Sequence, residues 1–366
     1  MQVNESQWPW LVLHLTPGVG GVRVRHLLEQ FGSAVALYQL KEADLVALGW
    51  PQRVAQQVCA GVADPWVRVP GFKRLQQWAA VAEHGLITPA DAHYPERFMQ
   101  ILHDPPPVLF ARGDPKLLAR PMVAMVGSRN PLPVNRQLAH DWAAQLAGSS
   151  LVVLSGLAQG IDGAAHRGAL AGQGQTVAVL GSGIERIYPL THTQLAHDIV
   201  AAGGLVVSEF SPDTPPSPGH FPRRNRLVAA LADVVLVVEA AAKSGSLITA
   251  RLAAEYGKEV LAVPGHPHHS GSEGSNMLIA SGAGLAATVA DVAAGFAGIR
   301  LNQSLSTPVN LPPLQQQLLA ALSFEPMALE TLALAVAQNP EQLLAPLLEL
   351  ELAGLAEAMG GCYVRL

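Results

Sequence analysis

Residues 151–183 read LVVLSGLAQGIDGAAHRGALAGQGQTVAVLGSG. A short apolar run (151–154) meets a Gly/Ser-rich turn (155–160), and the spacing predicts a helix over 160–171. A second apolar run (176–180) ends on Gly181-Ser182-Gly183. Apolar strands of this kind, separated by a helix, belong in a parallel sheet buried on both faces. The pattern continues outward in both directions. Strands are predicted at 123–126, 204–207, 234–238 and 260–263, and helices at 133–146, 191–201, 225–231, 247–256 and 274–281. The fold class is therefore α/β, with a mostly parallel sheet spanning residues 91–300.

Different signals flank this region. Residues 1–90 read as short helices at 10–15, 22–31, 33–39, 41–48 and 72–84, punctuated by Gly and Pro. Within them LTPGVGGVRVRHLLEQFGS (15–33) sets a Gly-rich turn before an amphipathic helix. That is the layout of a helix-hairpin-helix, whose turn amides can face a phosphate; an ordinary packing hairpin has the same layout. Residues 301–313 resemble a linker. Helices at 314–321, 328–336 and 340–353, followed by a Gly-turned hairpin over 355–366, suit a winged-helix module.

The chain has 366 residues, 49% of them apolar and 14% charged, so it can build a large core and is not globally disordered. No apolar run is long enough to span a membrane, and the start, MQVNESQWPW, lacks the features of a secretory signal. Cys59 and Cys362 form neither a metal-binding nor a redox spacing. These features predict a protein of the reducing cytoplasm. The net charge of −5 is misleading: residues 308–366 carry six acidic residues and one basic one, and the remainder balances at 22 of each sign.

Ligands of open parallel sheets bind at the carboxyl ends of the strands. Here those ends carry Gly127-Ser128-Arg129, the turn between Gly156 and Gly160, Gly181-Ser182-Gly183, and Lys243-Ser244-Gly245-Ser246 after Glu239. Small residues let backbone amides approach an anion closely. Arg129 can hold a phosphate bidentately, or serve a structural ion pair. Phe221-Pro222-Arg223-Arg224-Asn225-Arg226 crowds three arginines. Either it tracks a phosphodiester backbone, with Phe221 stacking on a base, or one arginine pairs with Glu209 or Asp213 at a solvated helix start. Asp162 suits capping or orienting the backbone, and His166 suits packing or hydrogen bonding. No GxxxxGK[ST] occurs, and Gly181-Ser182-Gly183-Ile184-Glu185-Arg186 lacks the last glycine of GxGxxG. His266, His268 and His269 have no second ligand set. No metal and no cofactor is expected.

Nine segments occur in order: DAHYP (91–95), DPPPVLFARG (104–113), VGSR (126–129), SGLAQGIDGAAH (155–166), TVAVLGSGIERIYP (176–189), SEF (208–210), FPRRNR (221–226), VVEAAAKSGSLITA (237–250) and AVPG (262–265). Together they resemble the DNA-processing protein A (Smf) family. The resemblance implies an extended Rossmann-like core, a helical helix-hairpin-helix or SAM-like N-terminal domain and a winged-helix C-terminal domain. It also implies a non-catalytic protein that binds and protects incoming single-stranded DNA in natural transformation, helps load the RecA recombinase and dimerises through its core. Its binding residues would be Gly127, Ser128, Arg129, Gly156, Gly160, Phe221, Arg223, Arg224, Asn225, Arg226, Lys243, Ser244, Gly245 and Ser246. Two features depart from that pattern. Gln159 stands where a basic residue is common, and the C-terminal module is acidic, which favours protein contact over duplex binding.

The competing class is an enzyme: a nucleotide N-glycosidic hydrolase of the lysine-decarboxylase-like group, with Glu239 or Asp162 as acid or nucleophile. Its PGGxGTxxE run is missing, and residues 243–250 come nearest to it. A third reading is an adaptor whose primary contact is the recombinase.

Overall fold

The computed structural model of the chain describes residues 5–81, 83–299, 301 and 311–365. Nine strands make the central sheet: β1 (His84–Ile87), β2 (Leu109–Gly113), β3 (Met122–Gly127), β4 (Val152–Ser155), β5 (Thr176–Val179), β6 (Leu205–Ser208), β7 (Val234–Glu239), β8 (Glu259–Ala262) and β9 (Gly284–Leu285). In space they lie in the order β1-β2-β6-β5-β4-β3-β7-β8-β9. From β6 to β9 every pairing is parallel. β2 joins β6 antiparallel, and β1 pairs antiparallel with β2. The α/β class and the mostly parallel sheet are as the apolar runs dictate.

Successive side chains of a strand face opposite sides, and the two cores follow that period. Val123, Met125 and Val153 pack with Ala139, Leu146, Ile161 and Ala165, from helices Pro133–Gly148 and Ile161–Ala171. Ala124, Val126 and Leu154 pack with Leu227, Leu231, Ala250 and Ala253, from helices His220–Leu231 and Ser246–Glu255. The chain runs from β3 outward to β6, then returns on the other side of β3 as β7. The helices after β3 and β7 therefore cover opposite faces, and their loops diverge into a crevice at the carboxyl edge. A register irregularity between Val126 and Gly127, with the Ser128 N–H donating to the Glu239 carbonyl (2.7 Å), ties the two strand ends together.

The N-terminal helices enclose Trp10, Leu13, Val24, Leu27, Val58 and Phe72, and this core continues into Leu86 and Phe110 of the β1–β2 pair. Two expectations shift here. The helix expected over 72–84 stops at Ala79, and residues 84–87 pair with β2. Gly85 is a poor helix former, whereas Leu86 and Ile87 on alternate faces enter two different cores. Gln52–Ala63 is a further helix, which the periodicity of the sequence alone does not separate from its neighbours. In the Gly-rich turn, a side chain at Gly21 would strike the Asp104 and Pro105 backbone. This turn thus packs against the sheet domain, as a packing hairpin does.

The C-terminal module contains helices Pro313–Ala321, Leu329–Ala335 and Pro340–Leu352 and strands β10 (Met327–Ala328), β11 (Ala356–Met359) and β12 (Cys362–Arg365), ordered β10-β12-β11. Leu318, Leu332, Leu343, Leu347 and Leu350 form its core, and Val364 of β12 is buried as well. Most of the expected linker, 302–310, lies outside the described residues.

Helix Ile161–Ala171 also buries His166. Its Nδ1 meets Thr176 Oγ1 (2.7 Å), whose hydroxyl donates to the Val153 carbonyl (2.6 Å), so the histidine is the donor in the first bond. Nε2 is buried without a hydrogen-bond partner among the described residues. Burial, with His192, Arg167 and Arg224 nearby, lowers the His166 pKa to about 3. An unfolded histidine binds a proton near pH 6.5, so stability is full above that value and falls with acidification toward the native pKa. The loss should be about 1.4 kcal/mol per pH unit below pH 6.5. His14, lowered to about 4 by burial and by Arg223, acts in the same direction. Urea unfolding at pH 7 and pH 5 should show this loss, and His166→Gln should make the dependence shallower. Equal pH slopes for the two proteins would contradict the assignment.

Candidate nucleic-acid interface

An open pocket of about 700 Å³ lies at the carboxyl edge of β3 and β7. Gly127, Ser128, Arg129, Phe221, Arg224, Asn225, Lys243, Ser244, Gly245 and Ser246 all line it. Gly156 lines an adjoining cleft of about 70 Å³ that shares Arg129, Phe221 and Arg224. Gly160 lines neither. Its φ is +75°, and an added Cβ would collide with the Ser128 carbonyl, so it lets the turn after β4 close beneath the loop after β3.

Arg129 is exposed and makes no hydrogen bond or ion pair with any described residue. Its guanidinium sits 5.5 Å from the centroid of the Phe221 ring. This contact holds an arginine in place without using its donors, which remain free for an anion. Lys243, exposed across the pocket, likewise has no ion-pair partner among the described residues. Tyr188, part of the 176–189 segment but not among the expected binding residues, also lines the pocket, its ring 5.7 Å from that of Phe221 and tilted by 49°. The available signal is an aromatic residue just beyond the glycines that end β5.

The arginine run departs from its sequence reading. The helix begins at His220, not at residue 225, so all three arginines lie on it, and one of them points away from the other two. Arg223 and Arg226, three apart, share a side, and both reach Glu209 Oε2, at 3.1 and 2.6 Å. Arg226 is buried, with a second pair to Asp104 at 3.3 Å. Arg223 stays half-exposed above the Phe210 ring. Neither lines the pocket. The structure thus bears out the alternative pairing with Glu209, while Asp213 pairs with Arg74. Burial pushes the Glu209 carboxyl up from its ordinary pKa, against the pull of Arg226 and Arg223.

Arg224 points the other way, toward the strand ends, and donates to the Gly156 and Val179 carbonyls. A side chain at Gly156 would occupy the guanidinium's place. Burial pulls the Arg224 pKa below its usual value, and the nearby Asp162 carboxylate opposes this. Asp162 accepts from the Gly156 and Ala158 N–H groups (3.1 and 3.3 Å), which orients the turn after β4. Asn225 accepts from Arg224 Nε (3.0 Å) and donates to the Gly245 carbonyl (3.3 Å), linking helix to loop. In that loop the Ser244 and Ser246 hydroxyls meet at 2.7 Å, at the start of helix Ser246–Glu255. Its first amides are used internally: the Ser246 N–H donates to Ser244 Oγ (3.3 Å), and the Leu247 and Ile248 N–H groups donate to the Ser244 and Gly245 carbonyls.

The two carboxylates of the hydrolase alternative are both engaged internally. Asp162 holds backbone amides, and buried Glu239 accepts from the Leu132 N–H (2.9 Å) and Asn135 Nδ2 (2.7 Å). Among the described residues no cluster of three His, Cys, Asp or Glu side chains suits a metal, and no helix is long and apolar enough to cross a membrane.

The profile of DNA recombination-mediator protein A matches residues 85–297, and that of the DprA winged helix domain matches 303–361. Protein Smf of Escherichia coli is 39% identical over 307 residues, covering 79% of each chain. Protein Smf of Synechocystis is 32% identical and covers 98% of each. Among solved structures, DNA processing protein A of Streptococcus pneumoniae has a TM-score of 0.68 at 30% identity, covering 82% of this chain and 100% of its own. That of Helicobacter pylori, whose structure concerns its single-stranded DNA binding mode, has a TM-score of 0.51 at 34% identity and covers 57% and 94%. Pocket, topology and these likenesses agree: the chain belongs to the DNA recombination-mediator protein A (DprA/Smf) family.

Proposed function

We propose that the chain binds single-stranded DNA in the carboxyl-edge pocket, as a non-catalytic protein of the cytoplasm. The observation that carries this reading is the pairing of two cations without an ion-pair partner among the described residues, Arg129 and Lys243, with the Phe221 and Tyr188 rings around one open pocket. Cations track the phosphates without reading sequence, while the rings accept any unstacked base. Gly127, Ser128, Gly156, Ser244, Gly245 and Ser246 keep the walls of the pocket and its adjoining cleft free of bulky side chains, so a strand can come close to the backbone. Gly160, Arg224 and Asn225 hold the wall together, and Arg223 and Arg226 hold the helix that carries Phe221. The single-strand binding named for the H. pylori protein supports this assignment.

In this reading the protein shields incoming strands in natural transformation and helps RecA replace it on them. It does so as a homodimer through the sheet domain, where Met277 and Leu285 are exposed near the sheet edge formed by β9. Gel shifts of the full chain with single-stranded and duplex DNA at several salt concentrations test the binding. Preference for the single strand, with affinity falling steeply as salt rises, is expected; equal duplex affinity contradicts it. Phe221→Ala should cost about 1–3 kcal/mol of single-strand affinity, the worth of one stacked base, with little change in the salt slope. A RecA filament-nucleation assay on strands coated with single-strand-binding protein tests loading, and sedimentation velocity tests dimerisation.

A further inference from the structure

Winged-helix and helix-turn-helix DNA readers lay a recognition helix in the groove, and its polar and cationic side chains make the contacts. The corresponding helix here, Pro340–Leu352, contains no lysine or arginine. Leu343, Leu347 and Leu350 fill the domain core. Leu344, Leu348 and Leu352 are 48%, 55% and 81% exposed. Residues four apart stack along one helix face, so these three form an apolar stripe beside the buried one. Glu341 and Glu349 lie on the same helix and Glu330 on the helix before it. None of Glu330, Glu341, Glu349 and Glu351 has an ion-pair partner among the described residues. The region 308–366 holds one basic residue, Arg365, against six acidic ones.

Uncompensated carboxylates repel a phosphate backbone, and they also repel a second copy of the same face. They attract a surface of opposite charge, and the leucines need an apolar one. We propose that the Leu344–Leu348–Leu352 stripe docks an amphipathic helix of a partner protein, its apolar face flanked by lysine and arginine. This is helix-on-helix recognition through anchors at helical spacing, on a scaffold that in other proteins reads DNA.

The probe is a synthetic peptide with leucine on one helical face and lysine on the other, titrated into the full-length chain by fluorescence anisotropy. A scrambled peptide of the same composition is the control. Leu344→Gln/Leu348→Gln/Leu352→Gln removes the stripe while keeping good helix formers, and Leu348→Gln alone serves if the triple variant unfolds. The patterned peptide should bind more tightly than the scrambled one and lose at least about tenfold in affinity with the triple variant. Single-strand affinity should stay unchanged. Equal binding of both peptides, or of the patterned peptide to both proteins, overturns the proposal. So does a triple variant that loses duplex-DNA binding, or that turns a sedimenting dimer into monomer; the occupant would then be DNA or a second copy.

Discussion

Arg129→Ala should weaken single-strand binding by about 1.5–3 kcal/mol, the usual worth of hydrogen bonds to a charged group, equally for all base compositions. The expectation rests on the free state of this side chain. A guanidinium already bonded to a carboxylate would have to break that pair before binding phosphate, whereas Arg129 lies over the Phe221 ring with no ion-pair partner among the described residues. Arg129→Lys should recover part of the loss, because it restores charge but not the planar fork. Adding Lys243→Ala should remove a second phosphate partner, and the salt dependence should flatten by about 0.7 for each phosphate no longer neutralised. Both side chains lack an ion-pair partner among the described residues, so the unfolding midpoint should not move. A fall in stability with unchanged salt slope would assign these residues to the fold instead.

Arg226→Ala should have the opposite profile. Glu209 is buried, and Arg226 is its closest cation at 2.6 Å. Removing one partner of a buried pair costs about 3–5 kcal/mol when the other charge is stranded; half-exposed Arg223, at 3.1 Å, still reaches Glu209, so the loss should lie at the low end of that range. Denaturant unfolding of the variant should show this loss, while single-strand affinity, corrected for the folded fraction, stays near that of the parent. Arg226→Met combined with Glu209→Gln should recover much of the stability, since the charges left without a partner, Arg223 and Asp104, are partly solvated rather than buried. A stable Arg226→Ala protein that no longer binds DNA would place this arginine back in the binding surface.

The contrast between Arg129 and Arg226 marks what can be read from sequence. Strand ends are legible because continuous apolar runs such as 234–238 stop at glycine, serine or charge, and topology brings those ends to one edge. Residues 84–87 are less so: HGLI shows no apolar run, and its strand character depends on pairing with β2. In FPRRNR, three arginines look equivalent in one dimension. Starting the helix at His220 separates them, with 223 and 226 toward Glu209, 224 toward the strand ends and none left wholly free. The clue is the acid in SEF at the end of β6, combined with the three-residue spacing. Tyr188 is hidden because its approach to Phe221 joins a loop to the start of a helix 33 positions further along the chain.

The most direct test of the binding pocket is photocrosslinking of the full-length chain to a single strand carrying 5-iodouracil, followed by peptide mass spectrometry. Adducts on Tyr188 or Phe221, diminished by Arg129→Ala/Lys243→Ala, are the predicted result. Adducts confined to the N-terminal helices or the C-terminal module, with the pocket peptides unmodified, would contradict it.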